Sequence, residues 1–92
     1  SAFRQELILL ILAAGGLAFW SIPYMEKTIL LSSILFVLFA EIINTAIEVT
    51  IDRIGKEIHP LSGLAKDLGS AAVLVTIAIS SLLWLATLCR YF

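Results

Sequence analysis

Four polar residues interrupt the apolar segment FVLFAEIINTAIEVTIDRIG, residues 36–55: Glu41, Asn44, Glu48 and Asp52. On a helix advancing about 100° per residue they fall within an arc of roughly 80°, one narrow stripe. Ile43, Ala46, Ile47, Thr50 and Ile54 take the opposite face. Along the axis Glu48 lies about 10 Å from Glu41, and Asp52 about 6 Å further on. Glu48 and Asp52, one turn apart, could hold a hard divalent cation through oxygen. Mg²⁺ in particular is satisfied by one or two carboxylates, with water and phosphate completing its shell. Glu41, deeper in the apolar run, has the chemistry of a general base. The plain structural alternative is a Glu41 that only hydrogen-bonds a neighbouring helix; four aligned polar residues weigh against it.

A second cluster follows in IGKEIHPLSGLAKDLGSAA, residues 54–72. Lys66 can meet a phosphate as a point charge, or simply anchor a helix at a membrane surface. Asp67 can serve the same site or stabilise a helix N-terminus. Glu57 and His59 fall in a connection, and Ser62 is a candidate N-cap for the helix that follows. Gly69, Ser70, Ala71 and Ala72 form a small-residue patch, of the kind that lets helices approach closely in a membrane. That patch should bring the third helix near the carboxylates, and Gly15-Gly16 should act likewise in the first helix. Arg4, Gln5 and Glu6 stand where the first apolar run begins, either as interfacial anchors or as a polar gate for a lipid headgroup. Cys89 is the single cysteine and reads as a small apolar filler. Neither GxxxxGK[ST] nor GxGxxG is present, so phosphate chemistry here would use neither soluble phosphate-binding loop.

The elements that must position these residues are helices in a membrane. Of 92 residues 61% are hydrophobic and 14% charged, against roughly 45–50% and about 25% in soluble domains. A chain this short cannot bury so much apolar surface by itself. The net charge of −1 and the lack of a basic stripe exclude a nucleic-acid partner. No residue is charged between Glu6 and Glu26 or between Asp67 and Arg90, and both runs suit the ~20 residues of a membrane span. The middle run reaches that length only if Glu41 and Glu48 are admitted, and an ionisable residue at such depth is a functional hypothesis by default. Pro23 breaks the chain after the first run; Gly55 and His59-Pro60 break it after the second. The chain is therefore expected to be a single all-α membrane domain, residues 1–92, with three transmembrane helices at about 4–21, 28–54 and 62–90. Trp20, Tyr24, Trp84 and Tyr91 lie towards segment ends, as an interfacial belt or as packing groups. Arg4, Arg53, Lys56 and Lys66 on one side outnumber Lys27 and Arg90 on the other, so the N-terminal side and the second connection should face the cytoplasm.

Three blocks, AFRQE, EIINTAIEVTIDRIG and HPLSGLAKDLGSAAV, occur in order with helices between them. Together they resemble the prokaryotic diacylglycerol kinases, small integral-membrane lipid kinases. The resemblance covers essentially the whole chain, and FRQE, DRIG and GSAAV are more similar to the diacylglycerol-specific branch than to the undecaprenol kinases of the same fold. It implies a homotrimer in the bacterial inner membrane, each protomer preceded by an amphipathic surface helix missing from this chain. It implies transfer of the ATP γ-phosphate to diacylglycerol, giving phosphatidic acid, with Mg²⁺ as cofactor. Glu41 would be the catalytic base and Glu48 a metal ligand, with a second metal carboxylate expected just upstream of Ser1. Asn44, Asp52, Glu57, His59, Lys66 and Asp67 would bind the nucleotide; Ala2, Phe3, Arg4, Gln5, Glu6, Ser70 and Trp84 would bind the lipid. The competing readings are an undecaprenol kinase and a small proton-coupled transporter built around Glu41.

Overall fold

The chain folds as three helices in a computed structural model that describes residues 2–55 and 59–91, without the side chains of Ala2 and Phe3. They are α1 (Ala2–Phe19), α2 (Tyr24–Ile54) and α3 (Pro60–Tyr91). Each boundary has a local cause. Pro23, at φ −55° and ψ 146°, takes the extended conformation that leads into α2. Gly55 closes that helix, its N–H bonded to the Ile51 carbonyl at 3.3 Å. Helix α3 starts at Pro60, whose fixed φ suits a first helical position. The Leu61 N–H donates to His59 Nδ1 at 3.1 Å, so the preceding side chain caps the helix. Ser62, expected as the cap, lies inside the first turn instead.

At 31 and 32 residues, α2 and α3 are each about 46–48 Å long, more than the ~30 Å of a bilayer's hydrocarbon core. Both are apolar enough to cross a membrane, and only 17% of the most apolar window of either is buried. The core helix of a soluble protein would be mostly buried, so these faces need lipid or another chain to cover them. Helix α1, at 18 residues, is about 27 Å long.

Helix α2 is the central element, packed on α1 along one side and more extensively on α3 along another. The face that α3 turns to α2 carries Gly69, Val73, Thr76, Ser80 and Thr87, recurring at helical spacing. Small and hydroxyl-bearing residues suit such a seam, because apolar surroundings give helices no hydrophobic reason to associate and close contact must supply the attraction. No buried hydroxyl can be left unpaired there. Ser33 Oγ donates to the Leu30 carbonyl at 2.7 Å and lies 2.9 Å from Ser80 Oγ. Thr76 and Thr87 donate to the carbonyls of Val73 and Leu83 at 2.7 and 2.8 Å. The Ser33–Ser80 contact is thereby a polar rivet between α2 and α3.

At the end away from the second connection, Leu17, Ile22 and Leu30 form an apolar cluster flanked by Trp20, Leu83, Trp84 and Tyr91. Three of the four belt aromatics therefore pack inward, while Tyr24 is 85% exposed. Arg90 Nη1 reaches Glu26 Oε1 at 3.6 Å and its guanidinium sits 5.6 Å from the Tyr91 ring centre, tying the end of α3 to the start of α2. Two packing expectations are corrected. A side chain added at Gly15 or Gly16 would meet nothing within 4 Å, so these glycines mark no close helix contact within the chain. Cys89 is exposed and fills no space in the core.

The rivet has a measurable consequence. Ser33→Ala should destabilise the folded state by about 0.6–1.7 kcal/mol, the range of interhelical hydrogen bonds in membranes, as read by SDS unfolding in mixed micelles.

Candidate active site

The stripe on α2 is graded in exposure as well as in depth. Glu41, Asn44 and Glu48 are half-buried, while Asp52 is exposed near the end of the helix. Each makes a different contact. Asn44 Nδ2 donates to Glu48 Oε1 at 3.2 Å, the pairing a one-turn spacing permits. Lys66 Nζ donates to Asp52 Oδ1 at 2.9 Å across the mouth between α2 and α3. Glu48 also lies within electrostatic range of that ammonium. At the other end of the stripe the carboxyl group of Glu6, from α1, lies close enough to that of Glu41 for the two to interact electrostatically.

These contacts change the division of labour expected on α2. Asp52 has one of its oxygens held by Lys66, so it is already engaged across the α2–α3 gap. Among the described residues no three His, Cys, Asp or Glu side chains gather as a metal site. What remains is the Glu48 carboxylate, one oxygen fixed by an amide and the other turned to no described partner. That donor set fits an ion that binds the protein through one or two carboxylates and takes its other ligands from water and phosphate.

Glu6 is half-buried, and its Oε2 is enclosed without a hydrogen-bond partner. It sits on the wall of an apolar groove of about 320 Å³, between Leu9 and Ala13 of α1, Ile34 and Val37 of α2, and Ile77 and Ser80 of α3. The groove runs from a carboxylate into apolar surroundings, as an amphiphile with a hydroxyl at its polar end would require.

The remaining expected residues are brought in to different degrees. Arg4 and Gln5 lie on α1 two residues and one residue before Glu6, both exposed. Asp67 is exposed beside Lys66, and Ser70 is exposed because its neighbour Gly69 takes the buried position. His59 is exposed with Nδ1 engaged as the α3 cap, which leaves Nε2 to face a ligand. Trp84 stands apart, in the apolar cluster at the far end, about 21 Å along α3 from Ser70. Glu57, Lys56 and the side chains of Ala2 and Phe3 lie outside the described residues.

Gly69 contributes more than the close approach that small residues predict. A side chain there would overlap Asn44 Oδ1 and come within 3.3 Å of Asn44 Cγ and 3.7 Å of Ile47 Cδ1. The one sequence signal for it is a glycine at a buried register position facing the polar stripe.

A profile described as "Prokaryotic diacylglycerol kinase" matches residues 1–88. The chain belongs to the prokaryotic diacylglycerol kinase family. It is similar to the "Diacylglycerol kinase" of Escherichia coli (strain K12), 42% identical over 92 residues, which is the whole of this chain and 75% of that protein. It is also similar to the proteins of that name from Haemophilus influenzae, 39% identical over 84 residues, and Pseudomonas aeruginosa, 36% identical over 84 residues. Those matches cover 91% of this chain and, respectively, 71% and 68% of the relatives. Membership in a lipid-kinase family gives the stripe a natural reading, since a kinase of this kind must bring a charged nucleotide and an apolar acceptor to one point.

The Lys66–Asp52 pair is solvent-exposed, with side chains 42% and 65% accessible, and such pairs contribute only about 0–1 kcal/mol. Asp52→Asn should therefore shift unfolding stability by less than about 1 kcal/mol, measured by SDS titration; a larger loss would make the pair a structural element.

Proposed function

We propose that this chain is the membrane domain of an ATP-dependent diacylglycerol kinase that makes phosphatidic acid at the cytoplasmic face of a bacterial inner membrane. The observation that carries this reading is the ordering of groups along α2. The Glu6–Glu41 carboxyl pair adjoins an apolar groove, and the Asn44–Glu48 and Asp52–Lys66 contacts lead away from it towards the second connection. A lipid hydroxyl and a nucleotide phosphate would thus meet between Glu41 and Glu48, about 10 Å apart along the helix.

In this reading the diacylglycerol hydroxyl rests beside Glu41, which takes its proton as the hydroxyl oxygen attacks the γ-phosphorus. The bond from that phosphorus to the bridging oxygen breaks, and ADP leaves. Phosphoryl transfer asks mainly for in-line positioning and neutralised charge. Lys66, already at the mouth of the site, supplies positive charge to the phosphates, with Asp52 holding its ammonium in place. Asn44, Glu57, His59 and Asp67 complete the nucleotide side. Glu48 would hold a Mg²⁺ ion, whose chemistry is to offset the charge of the ATP phosphates. Glu6 adjoins the base and, with Ala2, Phe3, Arg4, Gln5 and Ser70, receives the lipid headgroup. Trp84, about 21 Å further along α3, is placed to touch an extended acyl chain rather than the headgroup.

Three membrane spans and a homotrimer complete the proposal. The many exposed apolar side chains of α2 and α3, such as Phe36, Phe39, Val49, Leu74 and Leu82, support burial against lipid and sister protomers. The half-open stripe supports a site finished by a second protomer.

In the full-length protein Glu41→Gln should abolish transfer of labelled γ-phosphate to diacylglycerol in mixed micelles while nucleotide binding persists. Activity within about threefold of wild type would put less than roughly 0.7 kcal/mol of barrier on Glu41 and remove it as the base. Product with undecaprenol but not diacylglycerol would assign the other lipid, and ATP-independent uptake into vesicles would assign a transporter.

A further inference from the structure

The Asn44 amide is held from two sides. Its nitrogen donates to Glu48 Oε1 at 3.2 Å, and its oxygen is buried without a hydrogen-bond partner, in the space that a Gly69 side chain would fill. Turning the amide over would set its oxygen against the Glu48 carboxylate, acceptor against acceptor. The observed orientation is therefore the one that pairs with Glu48. A glutamate side chain is long and rotamer-rich, so a single fixed donor has a large effect on where its carboxylate points.

We infer that Gly69 is a positioning residue for the phosphoryl-transfer site: the space left by its missing side chain seats the Asn44 amide, and the seated amide fixes the Glu48 carboxylate. The inference rests on the reading of Glu48 as the metal ligand. It gives Gly69 a role beyond helix approach. A methyl at Gly69 would displace Asn44 and, through it, release Glu48. Residues that orient metal ligands in this way typically change metal affinity or activity by about 10–100-fold when replaced.

The test is a double-mutant cycle in the full-length protein with two readouts: Mn²⁺ binding by electron paramagnetic resonance in the presence of ADP, and kinase activity against divalent-ion concentration. Gly69→Ala should raise both the Mn²⁺ dissociation constant and the ion concentration for half-maximal activity about tenfold or more, with KM for diacylglycerol within about twofold. Asn44→Ala should do the same. The double variant should match Asn44→Ala within about twofold, because a residue that acts only through Asn44 has nothing left to act on. Independent, multiplying effects would overturn the inference, as would unchanged Mn²⁺ binding in Gly69→Ala. Should Gly69→Ala fail to fold, the double variant decides. Removing the amide makes room for the methyl, so a folded double variant supports the seat, and an unfolded one places the role of Gly69 in packing against Ile47. Glu48→Gln separates the two levels. If it leaves Mn²⁺ binding intact, the metal reading falls, and the inference with it; if it weakens binding while Gly69→Ala does not, only the positioning role falls.

Discussion

The seam between α2 and α3 is the contact on which the rest of the molecule depends. Two long apolar helices gain little from hiding apolar surface when their surroundings are equally apolar. They are held by close approach and by hydrogen bonds whose partners cannot be replaced by water. Gly69, Val73, Thr76, Ser80 and Thr87 line that seam from α3, and the Ser33–Ser80 contact locks it near its middle. Both the rotation and the axial position of α3 follow, and with them the place of Lys66 opposite Asp52 and of Gly69 opposite Asn44.

From that seam the chemistry follows by position along one helix. Water-soluble and lipid-soluble reactants share no common solvent, so a lipid kinase must build a path between them. In the proposed reading the stripe on α2 supplies it in steps of a helical turn. Exposed Asp52, with Lys66, stands at the end nearer the second connection; Asn44 and Glu48 occupy the middle; Glu41 and Glu6 stand where a groove opens among apolar side chains. Polar groups that would be costly scattered through a membrane helix become tolerable when aligned, because each can reach a partner or a substrate.

Membership in the prokaryotic diacylglycerol kinase family agrees with this layout. It also accounts for the apolar surface that the three helices leave open. Phe36 and Phe39 on α2 and Leu74 and Leu82 on α3 are exposed in a single chain, a surface poorly suited to water.

Much was legible in the sequence alone. The helical period of 3.6 residues places Glu41, Asn44, Glu48 and Asp52 on one face whatever surrounds them. Uncharged runs and proline breaks divide the chain into three helices, and three ordered blocks point to the family. Side-chain partners across helices were not legible, because they depend on how far each helix is rotated and slid against its neighbour. That placement is the sum of many weak contacts spread along the chain. Only the tertiary structure decided that Asp52 pairs with Lys66, and that His59 rather than Ser62 caps α3. It alone set Glu6 near Glu41 and put Trp84 in the apolar cluster at the far end. Among the glycines, sequence treated Gly15, Gly16 and Gly69 alike as small. Packing made Gly69 alone of the three the seat of another side chain, because it faces Asn44 of the stripe.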